Sequence, residues 1–195
     1  MSPRHTLVLA AAILATGSVL THARQQPPPA RQPGLYLAKA DGSVVRLTLQ
    51  TPNVETKGMA KAIFSQGIMG PSTEAHLNGA HADEQIAPGV ATFYLHLSSS
   101  RDPMSRMGED VPMHVTSGRN VVLIRLKDGK PEDDERVADL GRAGSSKPKN
   151  IVEWTTTKLS ATVFKLETKA PLQTGEYAVA TVPVLNGEMW DVGVR

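Results

Sequence analysis

Runs in which every second residue is apolar constrain this chain more than any other feature. Val45, Leu47 and Leu49 alternate with Arg46 and Thr48, and Phe93, Leu95 and Leu97 alternate with Tyr94, His96 and Ser98. Val122, Ile124 and Leu126 make a third face, and Thr162, Phe164 and Leu166 a fourth. Near the end Tyr177 and Val179 share one face, while Trp190, Val192 and Val194 share another. Successive strand side chains point to opposite sides of a sheet, so such runs read as strands with one face buried. The chain is therefore expected to be mainly β, a single antiparallel β-sandwich over residues 34–195.

Turn chemistry supports this reading. Asp41-Gly42, Asp128-Gly129 and Asn186-Gly187 each offer the two φ > 0 positions of a type I′ hairpin turn. The last would join Tyr177–Val184 to Glu188–Val194, with Pro183 marking a sheet edge or a strand end. The 14 prolines and 16 glycines leave little room for long helices. One short helix is expected near 58–66, where Met59, Ala62 and Ile63 fall at helical spacing before a capping Gly67.

Ahead of this domain stands a different kind of sequence. Arg4 gives a positive start, Leu7 to Leu20 is apolar apart from Thr16, Gly17 and Ser18, and Thr21-His22-Ala23 ends in a small residue. The run is too short to cross roughly 30 Å of hydrocarbon but suits the core of a secretory signal. Residues 1–23 are thus expected to be a signal peptide cut after Ala23, leaving no membrane span. Residues 24–33 (RQQPPPARQP) form a proline-rich linker that cannot bury apolar surface and is expected to be disordered. The chain has no cysteine, which excludes a lipid-modified cysteine anchor and disulfides. Removing residues 1–23 takes away one base, Arg4, and leaves 20 bases against 19 acids, a formal charge of +1. That balance argues against a nucleic-acid partner.

Leu172-Gln-Thr-Gly175-Glu-Tyr177-Ala-Val179 follows the strand around Phe164 and opens the next. It resembles the corner of immunoglobulin-like and fibronectin-type-III sandwiches, in which a tyrosine at a strand start hydrogen-bonds to backbone a few residues upstream. Leu172, Gly175 and Tyr177 are the structural residues this resemblance implies. More widely, Pro33-Gly34-Leu35-Tyr36-Leu37, Gly79-Ala80-His81 and Gly175-Glu176-Tyr177-Ala178 resemble an uncharacterised group of bacterial exported proteins. The resemblance implies location and fold, and no activity.

Histidines and methionines are the unusual chemical resource. Met104, Met107 and Met113 with His114 offer three thioethers and an imidazole, ligands suited to Cu(I), although methionine also fills gaps under loops. His76, His81 and His96 would bind Zn²⁺ if they converged, but exposed strand histidines that bind nothing are commoner. Glu132-Asp-Asp-Glu135 lacks the spacing of a calcium loop and reads as a solvated acidic turn. Trp154 and Trp190 have the rings for sugar stacking, yet their neighbours Val152 and Val192 favour burial. No Gly-x-Ser-x-Gly elbow, no fitting Ser-x-x-Lys and no phosphate loop occurs, and thiol catalysis needs a cysteine.

No cofactor and no catalytic or metal site is assigned on these grounds. The expectation is an exported, non-catalytic module, periplasmic or secreted, that contacts an unknown protein or envelope component. Sheet edges or the loops Arg101–Ser117 and Gly141–Lys149 would carry the contact. The alternative is a periplasmic small-ligand or metal (Zn/Cu) binding protein.

Overall fold

The computed structural model describes residues 32–58, 71–100, 109–112, 114–129, 134–142, 148–182 and 188–195. Among these residues every regular element is a strand. The signal peptide and linker (apart from Gln32 and Pro33), the helix near 58–66 (apart from Gly58) and the Asn186-Gly187 turn lie outside the described residues. No helix among the described residues is long and apolar enough to cross a membrane.

Three antiparallel sheets stack in layers. The front sheet runs β12 (Trp154–Lys158), β13 (Val163–Thr168), β7 (Thr92–His96), β1 (Gly34–Ala38), β2 (Val44–Arg46). The middle sheet runs β11 (Ile151–Val152), β8 (Val121–Arg125), β14 (Gly175–Thr181), β15 (Met189–Val194), β3 (Leu49–Gln50), with β6 (Gln85–Ile86) parallel to the end of β15. The back sheet runs β4 (Asn53–Lys57), β5 (Ser72–Asn78), β10 (Glu135–Arg142), β9 (Lys127–Asp128).

The order β1-β7-β13-β12 facing β8-β14-β15 is the A-B-E-D and C-F-G arrangement of an immunoglobulin-like sandwich. Alternation explains its core. Leu35, Leu37, Phe93, Leu95, Phe164 and Leu166 of the front sheet meet Val121, Leu123, Tyr177, Val179, Trp190, Val192 and Val194 of the middle one. Fully burying side chains of this size stabilises by roughly 1.5–3 kcal/mol each.

Two chain segments switch sheets. In 44–50 the start pairs with β1 and the end with β15. In 151–158 the start pairs with β8 and the rest with β13. Both long sides of the sandwich are thereby stitched, in the manner of corners between packed sheets.

The back sheet is an addition to this framework, built from two insertions that pair through β5 and β10. It covers the other face of the middle sheet. Val122, Ile124 and Leu126, read from sequence as the buried face of their strand, line this second core, while Val121 and Leu123 line the first. The strand is buried on both sides. Alanines 75, 138, 178 and 180 dominate the second core and leave room for Arg136, which is only 2 % exposed. Its Nη1 lies 2.5 Å from Asp191 Oδ2, and its Nε and Nη2 donate to the carbonyls of Gly79 (2.7 Å) and Asn78 (2.9 Å). Gln50 Nε2 donates to Asp191 Oδ1 at 2.6 Å, so both ends of the pair are satisfied.

The corner residues sit as follows. Tyr177 donates its hydroxyl to Gln173 O at 2.8 Å, and Leu172, 2 % exposed, exchanges backbone hydrogen bonds with Gly89. Gly175 has φ +149°, a conformation that side chains rarely adopt. The pentapeptide Gln-x-Gly-x-Tyr recurs at β1, where Tyr36 donates to Gln32 O at 2.8 Å. Each tyrosine faces an arginine across the ladder, Arg125 beside Tyr177 and Arg46 beside Tyr36. Each arginine donates to the carbonyl before the glycine, Thr174 at 2.9 Å and Pro33 at 2.7 Å.

Two turn expectations are corrected. At Asp41-Gly42 only Gly42 has positive φ, and Gly42 N donates to Lys39 O, as in a type I turn closed by a left-handed glycine. At Asp128-Gly129 neither residue has positive φ, and Gly129 N donates to Glu135 O across a longer loop.

Candidate functional site

The outer face of the back sheet gathers charged side chains from all four of its strands. Glu55 and Lys57 come from β4, Glu74 and His76 from β5, Glu135 from β10, and Lys127 and Asp128 from β9. They line a groove of about 570 Å³ floored in part by Val137. The strand pattern dictates the face: Glu55 and Lys57 are two apart, as are Glu74 and His76, so each pair points the same way.

Register then sets the electrostatics. Glu55 stands directly opposite Glu74, and like charges at opposed positions destabilise a sheet. Lys57 offsets part of this by pairing with Glu74 at 2.5 Å. That hydrogen bond, aided by the charges of Glu74, Glu55 and Glu135, holds the Lys57 ammonium above the usual lysine value.

His76 occupies the centre and is 12 % exposed. Its Nδ1 lies 2.8 Å from Glu135 Oε2, and a carboxylate only accepts, so Nδ1 carries the proton. Nε2 is buried and makes no hydrogen bond. It lies 3.7 Å from Glu55 Oε2 and 3.9 Å from Glu74 Oε2. Two carboxylates thus flank a buried ring nitrogen that makes no hydrogen bond.

One flanking carboxylate is held differently. Burial alone would raise Asp139, but hydrogen bonds from Lys149, Gly141 N and Lys127 outweigh it and keep the carboxyl below its usual value.

The residues singled out in the sequence are dispersed. His81 is exposed, with Nδ1 3.1 Å from Glu176 Oε1. His96 lies on the far side of the front sheet, 3 % exposed, its ring edge-on to Tyr36 at 5.0 Å. The polar side of β7 read from sequence is therefore buried, with Thr92 and Tyr94 beside His96. His114 stands half-buried in a turn, and Met104, Met107 and Met113 lie outside the described residues. No group of three or more histidines and carboxylates among the described residues has metal-holding spacing. Trp190 is fully buried, and Trp154 packs edge-on against Phe93 at 6.2 Å, so both serve the core rather than a sugar. Of the acidic run, Glu135 is engaged with His76, Asp134 turns the chain at φ +47°, and Glu132 and Asp133 lie outside the described residues.

Sequence reasoning overlooked Glu55, Glu74, Lys57 and Lys127, and took Glu135 only as part of a solvated acidic turn. A signal existed in the charged alternation Glu-x-Lys and Glu-x-His, which marks an all-polar strand face.

In comparisons with known proteins, the chain matches no family model, no curated protein and no solved structure.

Proposed function

We propose that the protein is an exported, non-catalytic β-sandwich module acting by contact in the periplasm or at the cell surface, with the outer face of the back sheet as its contact surface. One observation carries this. The immunoglobulin-type framework already encloses its own core, yet two insertions build a further sheet on it whose outer face is a charged groove. Charged side chains gathered on a layer that the framework's core does not need are better explained by recognition than by folding. Export rests on the charged start, short apolar run and small residue at Ala23, followed by the proline-rich spacer.

A photo-crosslinking amino acid at Glu55, and separately at Thr157 on β12, tests the contact in intact cells. Adducts at position 55 and none at 157 are expected, and no adduct at 55 overturns the reading. N-terminal sequencing of protein from the cell envelope should begin at Arg24. Recovery from the cytoplasm alone, starting at Met1, overturns export.

A further inference from the structure

Strand β4 supplies more than one wall of the groove. All five of its residues are exposed, and among the described residues it is hydrogen-bonded on one side only, to β5. An unpaired edge of this kind is a template for another strand. The second five-residue strand paired on one side among the described residues, β12, carries Thr155, Thr156 and Thr157 between Trp154 and Lys158. At β4 the chemistry is directional. On the outer face are Glu55, opposed to Glu74, and the hydrogen-bond-free Nε2 of His76. On the opposite face Val54 is 43 % exposed, beside the buried Ala75.

We propose that β4 accepts an extended segment of a partner protein in which basic residues alternate with apolar ones. The inference rests on the contact reading above and names the partner's chemistry. Backbone of the incoming segment pairs with the free side of β4. Its lysine or arginine side chains turn toward Glu55, where a cationic donor relieves the opposition of Glu55 and Glu74 that Lys57 offsets only in part. Its intervening apolar side chains turn the other way and cover Val54. Alternation is required because a strand sends successive side chains to opposite faces.

The test uses the purified mature chain and three labelled hexapeptides. One alternates Lys or Arg with Val, the second has the same composition with the basic residues grouped, and the third replaces the basic residues with Glu. The alternating peptide should bind at least about tenfold more tightly than the grouped one, a gap of about 1.4 kcal/mol. The acidic peptide should not bind. Amide shifts in β4 and a shift of the His76 ring nitrogens should accompany binding, and raising salt should weaken it. Glu55→Lys, at an exposed position, should lower affinity about tenfold while far-UV circular dichroism stays unchanged and Tm does not fall. Equal binding of the alternating and grouped peptides overturns the inference, as do shifts confined to β12, indifference to Glu55→Lys, or loss of binding with EDTA, which would assign the spot to a metal ion. A concentration-dependent dimer that shields β4 also overturns it. None of these outcomes touches the contact reading, which stands or falls on crosslinking at position 55.

Discussion

The middle sheet has two buried faces, and they are held in different ways. Against the front sheet it presents Tyr177, Val179, Trp190 and Val192 to an apolar core of leucines, valines and phenylalanines. Against the back sheet it presents Ala178, Ala180 and Met189, with the charged pair Asp191–Arg136 set among them. The first face gains from the area it removes from water. The second gains less in that way and depends on a hydrogen-bonded pair that is strong only while complete. The difference marks the framework as the part that folds on apolar burial and the back sheet as a layer clasped onto it.

The largest expected effect is on the framework. Trp190→Ala should cost about 3–5 kcal/mol by removing the bulkiest core side chain, read as a lowered denaturation midpoint in urea. Arg136→Met should cost about 3 kcal/mol, because it strands a buried Asp191 carboxylate. Hydrogen exchange should then show β5 and β10 losing protection before β14. Adding Asp191→Leu should recover about half of that loss, since the uncompensated charge is gone. If the double variant is no better than the single one, the clasp is not what separates the two faces.

Smaller effects distinguish the two Gln-x-Gly-x-Tyr corners. Gly175→Ala should cost about 1–3 kcal/mol, because φ +149° is strained for alanine and the added carbon would lie 3.1 Å from Arg125 Nη2. Gly34→Ala should cost less, about 1 kcal/mol, since its φ is not positive and the one close approach is to the Arg46 side chain, Nε 2.8 Å away, which must shift while its guanidinium stays bonded to Pro33 O. Thermal melts of the pair decide this.

The smallest effect is one of pH. Asp139 has a folded value below its unfolded one, so its stabilising contribution is present above the ordinary carboxylate range and is lost as pH falls through the folded value. Stability of Asp139→Asn should therefore trail the parent at neutral pH and converge with it in strong acid. A gap that persists in acid would assign the role of Asp139 to packing.

Much of the framework was legible in the sequence because its signals are local. Alternation at Phe93–Leu97 and Thr162–Leu166 marks faces, and the corner at Leu172–Tyr177 is written within six residues. The third layer was not legible in the same way. The uninterrupted apolar run Val121–Ile124 is the mark of a strand covered on both sides, and reading it for one face hides the other. Nothing near Arg136 in sequence foretells its burial, because its partner Asp191 lies 55 positions away. The groove is equally non-local. It needs Glu55 and Glu135, contributed by separate insertions, to meet across β5.

The segments 44–50 and 151–158 bear on how the molecule is lost as well as how it is held. Each is bonded to one sheet at its start and to the opposite sheet at its end. A strand that belongs to a single sheet can peel from its rim, and a protease takes what peels. Here the rims of the sandwich, unlike those of the back sheet, are seams, so the first of its edge segments to leave must break hydrogen bonds in both sheets together. Opening then becomes one rare event instead of a series of easy ones, and lifetime among proteases is set by the rate of that rupture.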